Sequence, residues 1–290
     1  MKLCIIGPEK RTENEVKIIE GAKKLFETVL YIPYPEIGLS NEGLEYKADL
    51  PSFDAVLSLI KKKDSLFAYT LLNKLQNIFT PIRSESFLYT SNRFLMLEFL
   101  KSHEIETPKV FLINSRKALL RMKNIKMPLV IRSSEEKGIM FATNKTELKT
   151  MVDSLGYSSP ICIEEFYSRT YSQILVIGRE VFGIQRKPKE KKDIYLGRGS
   201  AKKKKLNSDE KTIALNVANA LNTDFLLVTV GSKKVYDVSL YPNLVEISQI
   251  LGTDVIHKLL NFIKVSITGE EVSVEKMKYD IKRLILDIFK

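Results

Sequence analysis

Tryptophan is absent from this 290-residue chain, and cysteine and histidine occur only twice each, as Cys4, Cys162, His103 and His257. Two cysteines in apolar, strand-like runs cannot build a disulfide framework and make a cysteine-based zinc site a poor expectation. Two histidines leave little material for a histidine-rich metal centre or a Ser-His-Asp triad. No stretch approaches ~18 consecutive apolar residues, so no membrane span is expected. Residues 1–8 contain a short apolar run but no small-residue cleavage site, and read as a first strand rather than a signal peptide. Gly7-Pro8-Glu9 stands after that strand where a Gly-x-Gly-x-x-Gly would be needed, which disfavours a classical dinucleotide site. Internal repeats and Gly/Ser linkers are also missing. Together these absences predict a soluble, cytoplasmic protein with no membrane partner.

What is present suits two or three subdomains: 290 residues, 44% of them hydrophobic. Buried-type strands are predicted at 2–6, 28–32 and 55–60, with helices at 13–26 and 65–75 and a short strand at 78–79. Val16, Ile19, Ala22 and Leu25 or Phe26 share one face of the first helix. This βαβαβ order implies a small parallel sheet flanked by helices. Ser91 is predicted to cap a helix reaching Ser102. Strands follow at 109–113, 129–132, 138–142 and 161–165, with a helix at 146–154. Two matched strands, 172–177 and 180–186, flank Gly178-Arg179, a hairpin signal. Ser208 is expected to cap a helix over 209–221. A second hairpin, 225–230 with 234–239, turns at Gly231-Ser232, and 253–263 is helical. Apolar residues at Val274, Met277, Ile281, Leu284 or Ile285, and Ile288 predict an amphipathic helix that packs on its own domain or on a second copy of the chain.

The formal net charge of +11 is concentrated. Between Arg186 and Lys205 stand ten basic residues against two acids, Glu190 and Asp193. Such a window is either a solvated lysine-rich loop or the approach to an anionic partner: nucleotide phosphates, an acidic substrate or nucleic acid. Tyr195 is its only aromatic residue, which argues against stacking on single-stranded nucleic acid.

Several phrases in fixed order then resemble the ATP-grasp superfamily, most closely its RimK-like glutamate ligase branch. Ser91-Asn92-Arg93-Phe94-Leu95-Met96-Leu97 is similar to the family's Asp-Lys helix. Pro128-Leu129-Val130-Ile131-Arg132 is similar to a Pro-Leu-Val-Val-Lys strand. Ile163-Glu164-Glu165-Phe166-Tyr167 is similar to the adenine hinge, and Leu175 to Val181 to the hairpin after it. The resemblance implies an α/β fold with α+β lobes: a parallel βαβ pre-ATP-grasp domain at 1–88, a small ATP-grasp lobe at 89–163 and a large lobe at 164–290. It implies ATP as ligand and activation of a carboxylate as an acylphosphate, which an amine then attacks. A nucleotide and a small acidic or amino-acid substrate are the expected partners.

Residue by residue, the resemblance puts Arg93 and Arg132 where the family carries ATP-binding lysines. An arginine keeps the charge but presents a planar fork. The alternative for both is a surface or salt-bridged residue. Glu164, Glu165, Phe166 and Tyr167 fall at the hinge, where backbone groups meet an adenine edge. Arg186 and Arg198 are the candidates for phosphate or substrate-carboxylate contacts at the reacting end. Other positions depart from the family pattern: Tyr171 and Gln173 replace an acid–base pair, and Tyr195 and Leu196 replace an arginine and an asparagine. For magnesium the family supplies an aspartate and a Glu-x-Asn pair. Leu227, Asp237 and Ser239 occupy those places, so the Mg2+ set is Asp237 and Ser239 only. Asp224, Thr229 or Glu246 would have to complete it. The expected activity is an ATP-dependent carboxylate–amine ligase; the competing expectation is a nucleotide- or anion-binding regulatory protein that has lost its metal chemistry.

Overall fold

The computed structural model describes residues 1–46, 50–122, 126–133, 138–157, 159–167, 169–190 and 192–269. The helix expected at 274–288 lies outside them. The chain opens with β1 (Lys2–Gly7), α1 (Glu13–Leu25) and β2 (Thr28–Pro33). A short ladder of β3 (Gly38–Leu39) and β4 (Leu44–Glu45) precedes β5 (Ala55–Ser58). β1 lies between β2 and β5 with both pairings parallel, and Phe79 bridges to Ala55 where a strand was expected at 78–79. Leu3, Cys4, Ile5 and Ile6 are wholly buried, as a parallel strand covered on both faces requires.

Ile19, Ala22 and Phe26 are buried as expected, and α1 departs from the expected face at its first turn. Val16 is exposed, whereas Asn14 and Glu15 are buried. Tertiary hydrogen bonds outweigh the apolar pattern here. Asn14 Oδ1 accepts from the Leu244 N–H at 2.8 Å, and its amide donates to the Pro242 carbonyl at 3.4 Å. Glu15 accepts from the N–H and hydroxyl of Thr12 at 2.6 and 2.7 Å and from the Tyr241 hydroxyl. Burial alone would raise the Glu15 pKa, but the hydrogen bonds from Tyr241 and Thr12 hold it below the ordinary carboxylate range. These contacts fasten the N-terminal unit to the C-terminal third of the chain.

α2 (Ser65–Asn73), α3 (Ser84–Ser91) and α4 (Arg93–Ser102) lead out of the first unit. Ser91 is the last residue of α3 and not the cap of α4. Asn92 caps α4, accepting from the N–H groups of Phe94 and Leu95 at 2.9 and 3.2 Å. Next come β6 (Val110–Ile113), α5 (Arg116–Arg121), β7 (Leu129–Ser133), β8 (Ile139–Ala142), α6 (Lys145–Leu155) and β9 (Ile161–Glu165). They form an antiparallel sheet in the order β6-β9-β7-β8. Period-two alternation sends Ile113, Leu129, Ile131, Ile161 and Ile163 into a core with Leu119 of α5 and Leu148 and Val152 of α6. The other face carries Val130, Arg132, Phe141, Cys162 and Glu164. The boundary expected between 163 and 164 falls inside β9, so the two hinge glutamates belong to the small sheet.

The remaining elements are β10 (Tyr171–Ile177), β11 (Glu180–Lys187), α7 (Asp193–Leu196), β12 (Ser200–Lys204), α8 (Ser208–Ala220), β13 (Phe225–Gly231), β14 (Lys234–Ser239), α9 (Leu244–Leu251) and α10 (Val255–Thr268). The five strands form an antiparallel sheet in the order β12-β11-β10-β13-β14. Gly178 takes φ +57° in the β10–β11 turn, where a Cβ would meet the Phe262 ring at 2.6 Å. The second hairpin turns one residue later than expected: Ser232 and Lys233 take positive φ, and Gly231 pairs with Lys234 inside the ladder. Asn207, not Ser208, caps α8, in a capping box with Glu210. The expected basic loop is largely structured. It contains α7 and the edge strand β12, whose exposed lysines blunt pairing with another chain. One continuous core joins the parallel sheet to the five-stranded sheet, while the small sheet keeps its own. Among the described residues no helix is long and apolar enough to cross a membrane.

Candidate functional site

The site lies where the two antiparallel sheets pack against each other, joined by side chains from both. On the large sheet, Tyr171 pairs with Arg186, Gln173 with Thr229, Thr229 with Asp237, and Leu227 with Ser239. Alternation along each strand puts all of these on one face. The opposite face is tied to α8, where Ser172 donates to Glu210 at 2.6 Å and Lys204 pairs with the same carboxylate at 2.5 Å.

At the centre is a buried four-residue ion network. The Glu164 carboxylate is completely buried. Its Oε2 accepts from Arg93 Nε and Nη2 at 3.0 and 2.7 Å, and its Oε1 from Arg132 Nε at 3.1 Å. Arg93 Nη1 reaches Asp237 Oδ1 at 3.1 Å. α4, β7, β9 and β14 thus supply one member each, and both sheets are coupled through Arg93. Burial would lower the Arg93 pKa, but the charges of Glu164 and Asp237 raise it well above its ordinary value. Arg93 therefore stays cationic. Burial, reinforced by Glu164, pushes the Cys162 thiol up to about 12, which rules out a thiolate nucleophile here at neutral pH.

Arg132 has spare capacity. Its guanidinium lies 4.8 Å from the centre of the Tyr195 ring, and among the described residues its buried Nη2 has no hydrogen-bond partner. A buried guanidinium nitrogen in that state is a donor waiting for an acceptor, and an anionic oxygen meets the need.

The hinge is closed internally. The Glu165 N–H donates to the Lys109 carbonyl at 3.1 Å and that of Phe166 to the Pro128 carbonyl at 3.3 Å. The Tyr167 N–H donates to the Tyr195 hydroxyl at 3.1 Å. The Glu165 side chain pairs with Lys234 at 3.3 Å. Val130, Tyr171, Ile194, Tyr195 and Tyr236 form a buried cluster, against which Phe141, Phe166 and Tyr167 pack. Gly231 lets Tyr167 lie directly on β13; a Cβ there would stand 2.6 Å from the ring.

Arg186 is turned inward. Nε donates to Gln173, Nη1 to the Gly199 carbonyl at 3.4 Å, and Nη2 to Glu246 at 2.5 Å. Glu246 is thereby engaged at the N-terminal end of α9. Arg198 is exposed, and its carbonyl accepts from the Tyr171 hydroxyl at 2.6 Å. Ser239 Oγ accepts from the Tyr241 N–H at 3.3 Å. Thr229 does sit opposite Asp237, as a shifted ligand set would need, whereas Asp224 precedes the far end of β13 with its N–H on the Pro81 carbonyl.

These residues do not fit a two-magnesium site. The face that would hold the ions offers Leu227, Thr229, Asp237 and Ser239, and its single carboxylate already neutralises Arg93. Among the described residues no three His, Cys, Asp or Glu side chains are grouped to hold a metal. The residue of this site to which motif spacing alone gave no role is Tyr195. Its signal was a large aromatic residue where the family pattern has an arginine.

A parallel βαβ unit followed by two antiparallel sheets that meet around buried arginines is the architecture of the ATP-grasp class. The chain belongs to the RimK-like ATP-grasp family, whose domain model matches residues 90–263. It is 23% identical over 288 residues to a probable alpha-L-glutamate ligase of Trichodesmium erythraeum, covering 91% of this chain and 96% of that protein. A RimK-domain ATP-grasp protein from Sphaerobacter thermophilus superposes with a TM-score of 0.72 at 15% identity, over 89% of this chain and 98% of that one. The ATP-grasp ligase PsnB, complexed with a minimal precursor, Mg and ADP, superposes with a TM-score of 0.69 at 10% identity, over 92% and 97% of the two chains.

Proposed function

We propose that this protein is an ATP-dependent carboxylate–amine ligase that binds its nucleotide in the cleft between the two sheets. The observation that carries this reading is the convergence of Arg93, Arg132 and the 164–167 hinge on one buried site, inside a domain that matches the family over residues 90–263. Its relatives are described as probable glutamate ligases, and PsnB is a ligase seen with ADP and Mg.

In this reaction a carboxylate oxygen of the acid attacks the γ-phosphorus of ATP, and the bond to the ADP oxygen breaks. The amine nitrogen then attacks the acyl carbon. Phosphate leaves, and the nitrogen gives up a proton. This chain's residues would bind and shield. Arg132 Nη2 offers a donor to the phosphates, and the aromatic cluster keeps water from the acyl phosphate. Mg2+ is assigned no protein-bound step, because the face around Asp237 does not fit the pair of ions.

One observation favours a second reading, nucleotide binding without ligation: Asp237 is consumed by Arg93 and its strand neighbours are Leu227 and Thr229. Turnover separates the two. The purified chain, given ATP, magnesium and a panel of amino acids and short acidic peptides, is expected to release ADP and phosphate only when an acid and an amine are both present. ATP binding with no product across the panel would favour the second reading.

A further inference from the structure

Tyr195 makes, from within the chain, the contacts that a purine would make. Its ring is flat and almost wholly buried. It stacks on Phe166 at 6.5 Å with 29° between the planes, lies 6.2 Å from Phe141, and carries the Arg132 guanidinium on its face at 4.8 Å. Its hydroxyl oxygen accepts the Tyr167 N–H at 3.1 Å, as a purine ring nitrogen would. The hinge N–H groups of Glu165 and Phe166 are committed to backbone carbonyls. That of Tyr167 alone among the three is held by a side chain, and a side chain can leave.

The element that carries Tyr195 is suited to leaving. α7 is a single turn. It ends at Gly197 with φ +64°, and Gly199 follows with φ +111°. Asp193 holds the turn, accepting from the N–H groups of Lys189 and Glu190 at 2.7 and 2.9 Å. The Tyr171 hydroxyl latches its far end through the Arg198 carbonyl. Leu196 and Arg198 face solvent, while Asp193, Ile194 and Tyr195 are buried, so what holds this turn inward is three side chains. The surrounding segment carries Lys189, Lys192 and Arg198, which attract polyphosphate toward this mouth of the cleft.

We propose that α7 is a gate, with Tyr195 as its plug: the free protein fills its own purine slot, and a nucleotide binds by displacing Tyr195 from the hinge. This rests on the reading of the cleft as a nucleotide site. The apparent affinity is then the intrinsic affinity multiplied by the fraction of molecules with the gate open. A partner that holds α7 outward would switch the protein on.

Calorimetric titration of ATP and of ADP into wild type, Tyr195→Phe and Tyr195→Ala tests this. Tyr195→Ala is expected to bind at least about tenfold more tightly than wild type, and Tyr195→Phe by a smaller factor, because it loses only the hinge hydrogen bond. Hydrogen exchange on the wild-type chain supplies a readout that needs no variant. On adding ATP, residues 192–198 are expected to lose protection while 165–167 keep theirs. Unchanged or weaker binding by Tyr195→Ala, or protection of 192–198 that rises with ATP, would overturn the gate and leave the nucleotide site standing. If neither wild type nor Tyr195→Ala binds ATP or ADP, the nucleotide reading fails and the gate with it. Tight binding by Tyr195→Ala alone supports the proposal most strongly.

Discussion

Glu164→Ala is expected to lower the unfolding free energy by about 3–5 kcal/mol, the effect of removing one partner from a buried ion pair. Among the described residues Glu164 is the only anion in contact with the Arg132 guanidinium, and it takes two of the three hydrogen bonds that Arg93 makes to carboxylates. Without it two guanidinium groups stay in a dry interface, with Asp237 alone to balance them. Stability of a domain is about 5–15 kcal/mol in total, so the variant is expected to sit near the edge of folding. Urea denaturation followed by circular dichroism measures the change as a lowered midpoint. Glu164→Gln is expected to lose less, since its amide oxygen still accepts from one arginine. Equal stability of wild type and Glu164→Ala would mean that the network does not hold the lobes together.

Arg132→Ala is expected to weaken ATP binding by about tenfold or more while costing less stability than Glu164→Ala. A hydrogen bond to a charged group is worth roughly 1.5–3 kcal/mol, which is about 10- to 150-fold in affinity. In the free protein Arg132 makes one ion pair and leaves Nη2 unpartnered, so its removal breaks little that is already formed. Glu164 keeps both hydrogen bonds from Arg93 to its Oε2. Arg132→Lys retains the charge without the fork, and is expected to fall between the two. Calorimetry with ATP checks the order; an Arg132→Ala variant with wild-type affinity would place the phosphates elsewhere.

Much of this architecture is legible in the sequence, for identifiable reasons. β9 is bounded as expected at Ile161–Glu165, because an apolar run meets two glutamates there. The β10–β11 hairpin is legible because Gly178 sits where a positive φ is required. Capping falls on Asn92 and Asn207 and not on the adjacent serines expected, a one-residue choice that near-equal cap preferences for asparagine and serine do not decide. α3 and α9 were not anticipated; α9 is short and follows a strand closely, so local periodicity had little length to declare itself.

The site is legible only in outline. Arg93, Arg132, Glu164 and Asp237 were each picked out for roles toward a ligand, with a salt-bridged role as the alternative for the two arginines, but no partner was foreseen. Their pairing with one another joins residues 71 and 144 positions apart and leaves no local pattern. The same holds for Arg186, whose partners Gln173, Gly199 and Glu246 converge from three elements. Tyr195 stood out as a departure from the family pattern. Only the fold shows that its hydroxyl lands on the Tyr167 amide.

A crystal structure of the chain with ATP and magnesium at saturating concentration tests the central claim most directly. The account predicts the purine against the Tyr167 N–H in the place of the Tyr195 ring, with a phosphate oxygen on Arg132 Nη2. A cleft still filled by Tyr195, with the nucleotide bound elsewhere or absent, would contradict it.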